Sequence, residues 1–189
     1  GNIAISIAKN LPTLSVGTRI IATDISRRAL RIARQNAKFH KVEKQIIFVH
    51  SNLLNVIARS ETTKQSDKKI AALPLVARND DNIDIIVTNL PYIPSARITY
   101  LDSSVKDFEP CIALDGGEDG FGLYRKLFQQ VAKFSLPPRR WKPKLIVSEI
   151  DYTHGELAIS EAQKYFPEAR VEVKTDLAHK QRILSIKFF

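Results

Sequence analysis

The chain has 189 residues, 44% of them hydrophobic and 26% charged, a composition with room for one sizeable core. A formal net charge of +9 points to an anionic partner or anionic surroundings without naming one. The single cysteine, Cys111, excludes an intrachain disulfide and a cysteine metal cluster, and no apolar run reaches membrane-spanning length. A cytoplasmic protein is the expectation.

The chain opens Gly1-Asn2-Ile3 and holds no methionine, which reads as a fragment or a processed chain. Residues 2–10 follow a helical period with Ile3, Ala4, Ile7 and Ala8 inward and Pro12 just past the end. Residues 19–25 form a short apolar strand closing on Asp24, and Ser26 is placed to cap a helix over about 27–39. Ala29, Leu30, Ala33 and Ala37 give that helix a core stripe; Arg27, Arg31, Arg34, Lys38 and Lys41 line the opposite side. The basic stripe reads as a solvated outer face or as an RNA-binding surface. No aromatic interleaves it, which argues against a stacking platform for single strands.

Ile46–His50 is a third apolar run and ends in Ser51-Asn52. Residues 57–82 lose the rhythm and read as a surface insertion. The most informative stretch is 83–94, Ile-Asp-Ile-Ile-Val-Thr-Asn-Leu-Pro-Tyr-Ile-Pro. Ile83, Ile85, Ile86 and Val87 read as a strand buried on both faces, which must stop at Pro91 because proline lacks the ladder donor. Ligands of open α/β sheets bind at the carboxyl ends of strands. Asn89-Leu90-Pro91-Tyr92 would therefore deliver a carboxamide, a restrained carbonyl and an aromatic ring to a site. An ordinary proline-containing strand exit is the plainer account of those four residues.

A long connection to about residue 120 carries Gly116-Gly117 and Asp119-Gly120, both turn signals. A helix over 121–135 turns Leu123, Leu127, Val131 and Phe134 to one side. Residues 144–150 read as a strand, 154–166 as a helix, and 170–174 with 183–188 as a terminal antiparallel pair. Strands alternating with helices predict an α/β three-layer domain. Three strand ends carry polar residues: Asp24, Asn52 and Asn89. An acidic strand end can accept ribose hydroxyls, and an Asn amide can meet an adenine edge, though both residues are also common turn formers. His40, His50, His154 and His179 have no metal-ligand spacing.

Together these residues resemble the class I S-adenosylmethionine-dependent methyltransferases, and among them the release-factor glutamine methyltransferases, the PrmC/HemK family. The family turn is Asn-Pro-Pro-Tyr; here Leu90 replaces the first proline. That turn also occurs in DNA and RNA adenine methyltransferases. The finer resemblance rests on residues 108–120, Phe-Glu-Pro-Cys-Ile-Ala-Leu-Asp-Gly-Gly-Glu-Asp-Gly, with Tyr124-Arg125 after them. Ser148-Glu149-Ile150 and Asp176-Leu177-Ala178 with Arg182 match late family motifs. The match covers nearly the whole chain outside 57–82.

The resemblance implies a Rossmann-like methyltransferase sheet with a terminal antiparallel strand pair, formed by 1–189 as one catalytic domain truncated at its N-terminus. The first strand would precede Gly1 and lie between the strands ending at Asp24 and Asn89. It implies S-adenosyl-L-methionine as cofactor, contacted by Gly1, Asp24, Asn52, Leu53 and Asn89. Family members usually have Asp at position 52. Asn89, Leu90, Pro91 and Tyr92 would grip a glutamine of a peptide-chain release factor and carry catalysis, with no metal. The expected enzyme is a monomer for which nucleic-acid contact is not required, and the fragment alone would be inactive. A DNA or RNA adenine methyltransferase, or a non-catalytic RNA- or ribosome-binding relic, are the alternatives. Asp151 and His154 depart from the family pattern, in which Gly and Gln are frequent there.

Overall fold

A computed structural model of the chain describes residues 1–11, 18–55, 83–136 and 141–189. The insertion read at 57–82 lies outside the described residues. The chain divides into two compact units, Gly1–Asp81 and Asn82–Phe189.

The first unit holds α1 (Asn2–Asn10), β1 (Ile20–Asp24), α2 (Arg27–Phe39) and β2 (Ile46–His50). β1 and β2 pair in parallel, Ile20 opposite Ile46 and Asp24 opposite His50. Ala4, Ile5, Ala8, Leu30, Ala33, Ala37, Val42, Ile46 and Phe48 form its core. The inward face of α1 differs from the expectation: Ile5 is buried, whereas Ile3 is 39% exposed. Ala4 and Ala8 mark the centre of that face, and an isoleucine flanks Ala4 on each side, so periodicity alone could not choose between them.

α2 has the expected bounds, and the Ser26 hydroxyl caps it by accepting from the Ala29 N–H at 3.2 Å. Its far end is a Schellman motif: Lys41 donates to Lys38, and Val42 donates to the Ala37 carbonyl at 2.9 Å. Lys41 takes the left-handed position (φ 58°), and Val42 buries its side chain beside the helix. The basic stripe is not purely solvated. Arg34 donates to the Phe48 carbonyl at 3.0 Å and lies over the Phe48 ring.

The second unit is a four-stranded sheet of order β3-β4-β6-β5, formed by β3 (Ile85–Asn89), β4 (Leu145–Glu149), β5 (Arg170–Thr175) and β6 (Gln181–Lys187). β3 and β4 run parallel; β6 is antiparallel to both β4 and β5, giving the expected terminal pair. Its longer helices are α3 (Gly122–Ser135) and α4 (Gly155–Tyr165). β1 and β3, the strands expected to flank an absent one, each have a single hydrogen-bonded neighbour among the described residues.

Two expectations are corrected in this unit. β3 is not buried on both faces: Ile86 is, but Ile85 and Val87 are 55% and 42% exposed. β3 is an edge strand, and alternation sends Ile85 and Val87 to the side that Ile86 leaves. The core stripe of α3 is Tyr124, Leu127, Phe128, Val131 and Phe134, with Leu123 only at its margin. Tyr124 stacks on Phe121 at 4.6 Å between ring centroids, and Phe128 meets Phe166 edge-on.

Arg125, on the flank of α3, joins Asp119 at 2.6 Å and Glu161 of α4 at 3.0 Å. Its hydrogen bonds hold the Asp119 carboxyl down to about 2. A carboxyl depressed by folding stabilises above its unfolded value near 4 and loses that contribution as pH falls through its folded value. The pair is partly exposed, so water limits it to about 1 kcal/mol. Asp119→Asn is therefore expected to be less stable than wild type at pH 6, with the gap closing between about pH 4 and 2. Acid-titrated urea melts measure this, and a gap constant down to pH 2 would contradict it.

Candidate functional site

In the second unit, β3 ends at Asn89 because Leu90 is followed by Pro91, which has no N–H to continue the ladder. Asn89 pairs in register with Glu149 at the end of β4, so both strands leave the sheet together. The Asn89 side chain is exposed, and among the described residues its carboxamide has no hydrogen-bond partner. The Leu90 carbonyl accepts from the Tyr124 hydroxyl at 3.2 Å, and the same hydroxyl makes a short bond to the Glu149 carbonyl.

Tyr92 is half-buried. Its hydroxyl donates to Glu149 Oε1 at 3.1 Å, and Arg182 of β6 approaches its oxygen at 3.5 Å. Burial, followed by the Glu149 charge, pushes the Tyr92 phenol above its ordinary value. It therefore stays a neutral donor. The structure thus gives Tyr92 a polar anchor as well as the ring that sequence reading singled out.

The chain after Tyr92 is held by the segment that carries the finer resemblance. Ile93 donates to Leu114 at 3.0 Å and accepts from Gly116 at 2.9 Å, while Ser95 donates to Gly117 at 2.9 Å. Asp115 accepts from the Ser95 hydroxyl at 2.6 Å and from the Gly117 N–H at 2.9 Å. Gly120 (φ 77°) packs so closely that a Cβ would come within 2.2 Å of the Tyr92 carbonyl oxygen. The glycines of this segment brace the Asn-Leu-Pro-Tyr turn from behind.

Asp151 and His154, which depart from the family pattern, shape the entry to α4. Asp151 accepts from the Thr153 N–H at 2.9 Å and the Thr153 hydroxyl at 2.6 Å, and the His154 N–H closes the turn on the Asp151 carbonyl. His154 is buried edge-on against Phe121 with Nδ1 unpartnered, and burial pulls its pKa down.

In the first unit, Asp24 closes β1. Its Oδ1 accepts from the Ser26 N–H at 2.7 Å, and its Oδ2 has no partner among the described residues. The Ser51 N–H donates to the Asp24 carbonyl at 3.1 Å, bringing the exit of β2 beside that of β1. Asn52 is exposed there, and Leu53 adopts φ 50°, an uncommon conformation for a leucine. Gly1 caps α1, and a Cβ on it would lie 2.3 Å from that of Ala33 on α2. That contact demands glycine.

Tyr124, Glu149 and Arg182 carry no role that the sequence alone assigns. Glu149 had a usable signal, a polar residue ending a strand as Asn89 does. Among the described residues no group of His, Cys, Asp or Glu is placed to hold a metal, and no helix is long and apolar enough to cross a membrane.

No protein-family model matches the chain. Curated relatives do. The release factor glutamine methyltransferase of Dictyoglomus turgidum is 32% identical over 186 residues, covering 98% of this chain and 55% of that protein. That of Bacillus cereus is 30% identical over 184 residues, covering 97% and 54%. The chain thus spans about half the length of the curated relatives it matches. Among solved structures, the hMettl16 catalytic domain in complex with MAT2A 3'UTR hairpin 6 aligns with TM-score 0.59 at 11% identity, over 98% of this chain and 61% of that one. The N-terminal domain of human METTL16 in complex with SAH aligns with TM-score 0.51 at 12% identity, over 98% and 58%. At such identities the likeness speaks for the methyltransferase fold alone. By sequence and fold together, the chain is a homologue of the release factor glutamine methyltransferases.

Proposed function

We propose that the protein carrying this chain transfers a methyl group from S-adenosyl-L-methionine to the side-chain amide nitrogen of a glutamine in a peptide-chain release factor. The observation that carries this reading is the alignment, along almost the whole chain, with proteins of that name. The reading treats 1–189 as catalytic domain and expects a cytoplasmic monomer.

The first unit fits the cofactor. Asp24 keeps one carboxylate oxygen without a partner among the described residues, at a strand's carboxyl end, as ribose hydroxyls require. Asn52 stands exposed beside it and can accept from an adenine amine. Leu53 and the close-packed Gly1 are the other members of the proposed binding set in this unit, and Asn89 is its member in the second. When bound, the cofactor supplies a methyl group activated on a sulfonium.

The protein's task is then to hold a poor nucleophile. An amide nitrogen has its lone pair delocalised into its carbonyl. Asn89 Oδ1 and the Leu90 carbonyl can each accept one of its two N–H bonds, which orients the nitrogen and stabilises the positive charge that grows on it. Pro91 narrows the conformations open to Leu90. Tyr92, anchored through Glu149, presents its ring to the planar amide.

Methyl transfer to purified release factor by the full-length protein tests the reading; transfer only to adenine in DNA or RNA would overturn it. Asp24→Ala is expected to weaken S-adenosylmethionine binding about ten- to a hundredfold, because a charge-assisted hydrogen bond contributes roughly 1.5–3 kcal/mol. Calorimetric titration measures this. Unchanged affinity would remove Asp24 from the cofactor site.

A further inference from the structure

Parallel strands β3 and β4 end side by side, Asn89 opposite Glu149, and the backbone carbonyls of Leu90, one residue past β3, and Glu149, the last residue of β4, meet the same side-chain donor. One group serves both. The Tyr124 hydroxyl reaches the Leu90 oxygen at 3.2 Å and the Glu149 oxygen at shorter range, sharing a single proton between them. No other donor meets the Leu90 carbonyl among the described residues.

The hydroxyl is well placed to act as a fixed strut. Tyr124 is fully buried, and its ring stacks nearly parallel on Phe121, with 12° between the planes. Moving the ring would disturb the core of α3. Burial, then the nearby Tyr92 and Glu149, pushes the phenol upward, so it keeps its proton. The same Glu149 that offers its carbonyl to Tyr124 offers its carboxylate to Tyr92. Tyr124 therefore sits beneath the candidate turn with no exposed surface of its own.

We propose that Tyr124 is a positioning residue of the candidate site: its hydroxyl aims the Leu90 carbonyl at the substrate amide and leaves that oxygen a second lone pair to accept the amide N–H. The inference rests on the amide-methylation reading. The Glu149 carbonyl, held by the same proton, keeps the anchor of Tyr92 in step with Leu90.

The test compares full-length wild type, Tyr124→Phe and Val131→Ala. Phenylalanine keeps the stacked ring and removes only the hydroxyl, whereas Val131→Ala damages the core of α3 two turns away and leaves the hydroxyl and its stacking partner in place. Tyr124→Phe is expected to lower kcat for methyl transfer to release factor about three- to tenfold, with KM for S-adenosylmethionine unchanged. The 13C resonance of the Leu90 carbonyl should move upfield as its hydrogen bond is lost. Val131→Ala should melt earlier yet keep its kcat. An unchanged kcat in Tyr124→Phe, or an unmoved Leu90 resonance, would overturn the inference. Should the wild type transfer no methyl to release factor, the reaction reading fails, and the Leu90 resonance alone decides whether Tyr124 positions that carbonyl.

Discussion

Asn89→Ala in the full-length protein is expected to reduce turnover about a hundred- to a thousandfold, a loss of roughly 2.7–4 kcal/mol of transition-state stabilisation. The magnitude follows from where the interaction is felt. A carboxamide oxygen holding the reacting nitrogen binds more strongly as positive charge develops there, and only that increment lowers the barrier. The structure separates this effect from stability. Asn89 is exposed and its carboxamide has no partner among the described residues, so its removal should leave the melting temperature nearly unchanged. Cofactor affinity and kcat measured on the same preparation complete the test. A folded Asn89→Ala enzyme with near wild-type turnover on release factor would refute the proposed mechanism. Asn89→Asp should also be poor, because it keeps the size but replaces a neutral amide with a charge.

Much of the local structure was legible because local chemistry decides it. Ser26 followed by an alanine-rich stripe marks α2 on both its start and its inner face, and the run Ile46–His50 coincides with β2. β3 stops at Asn89, two residues before Pro91, whose missing donor cannot continue the ladder. What escaped was tertiary. Whether β3 is buried on one face or two depends on its place at the edge of the sheet, which its own residues do not encode. Tyr124 lies one position from Leu123, about a quarter turn round the helix, so a small error of phase exchanges the two. In the fold its buried hydroxyl is satisfied by the Leu90 and Glu149 carbonyls.

The wiring of the candidate site was hidden for the same reason. Tyr92 meets Glu149 across 57 positions and Arg182 across 90, and no local pattern reports such pairings. The motif over 108–120 was visible as a string, and its physical meaning emerged only with the contacts of its glycines. Two of them share a positive φ and differ in surroundings: Gly117 (φ 93°) has open space where a Cβ would go, and Gly120 does not.

That difference gives a prediction with an internal control. Gly117→Ala is expected to cost about 1–2 kcal/mol, the penalty of holding an L-residue at positive φ. Gly120→Ala adds to the same penalty a methyl group 2.2 Å from the Tyr92 carbonyl oxygen, 2.8 Å from His154 and 3.1 Å from Pro94. The first neighbour is backbone and His154 is buried, so neither can swing aside cheaply. Overpacking of this kind costs a further 1–3 kcal/mol or so, for a total of about 2–5 kcal/mol. Urea melts of the two variants in the full-length protein measure the gap. Because the backbone that must yield is that of Tyr92 itself, Gly120→Ala should also disturb the turn, and methyl transfer should fall at temperatures where the protein is still folded. Equal destabilisation by the two substitutions would mean that Gly120 is needed for its dihedral angle alone, and that the segment does not brace the Asn-Leu-Pro-Tyr turn.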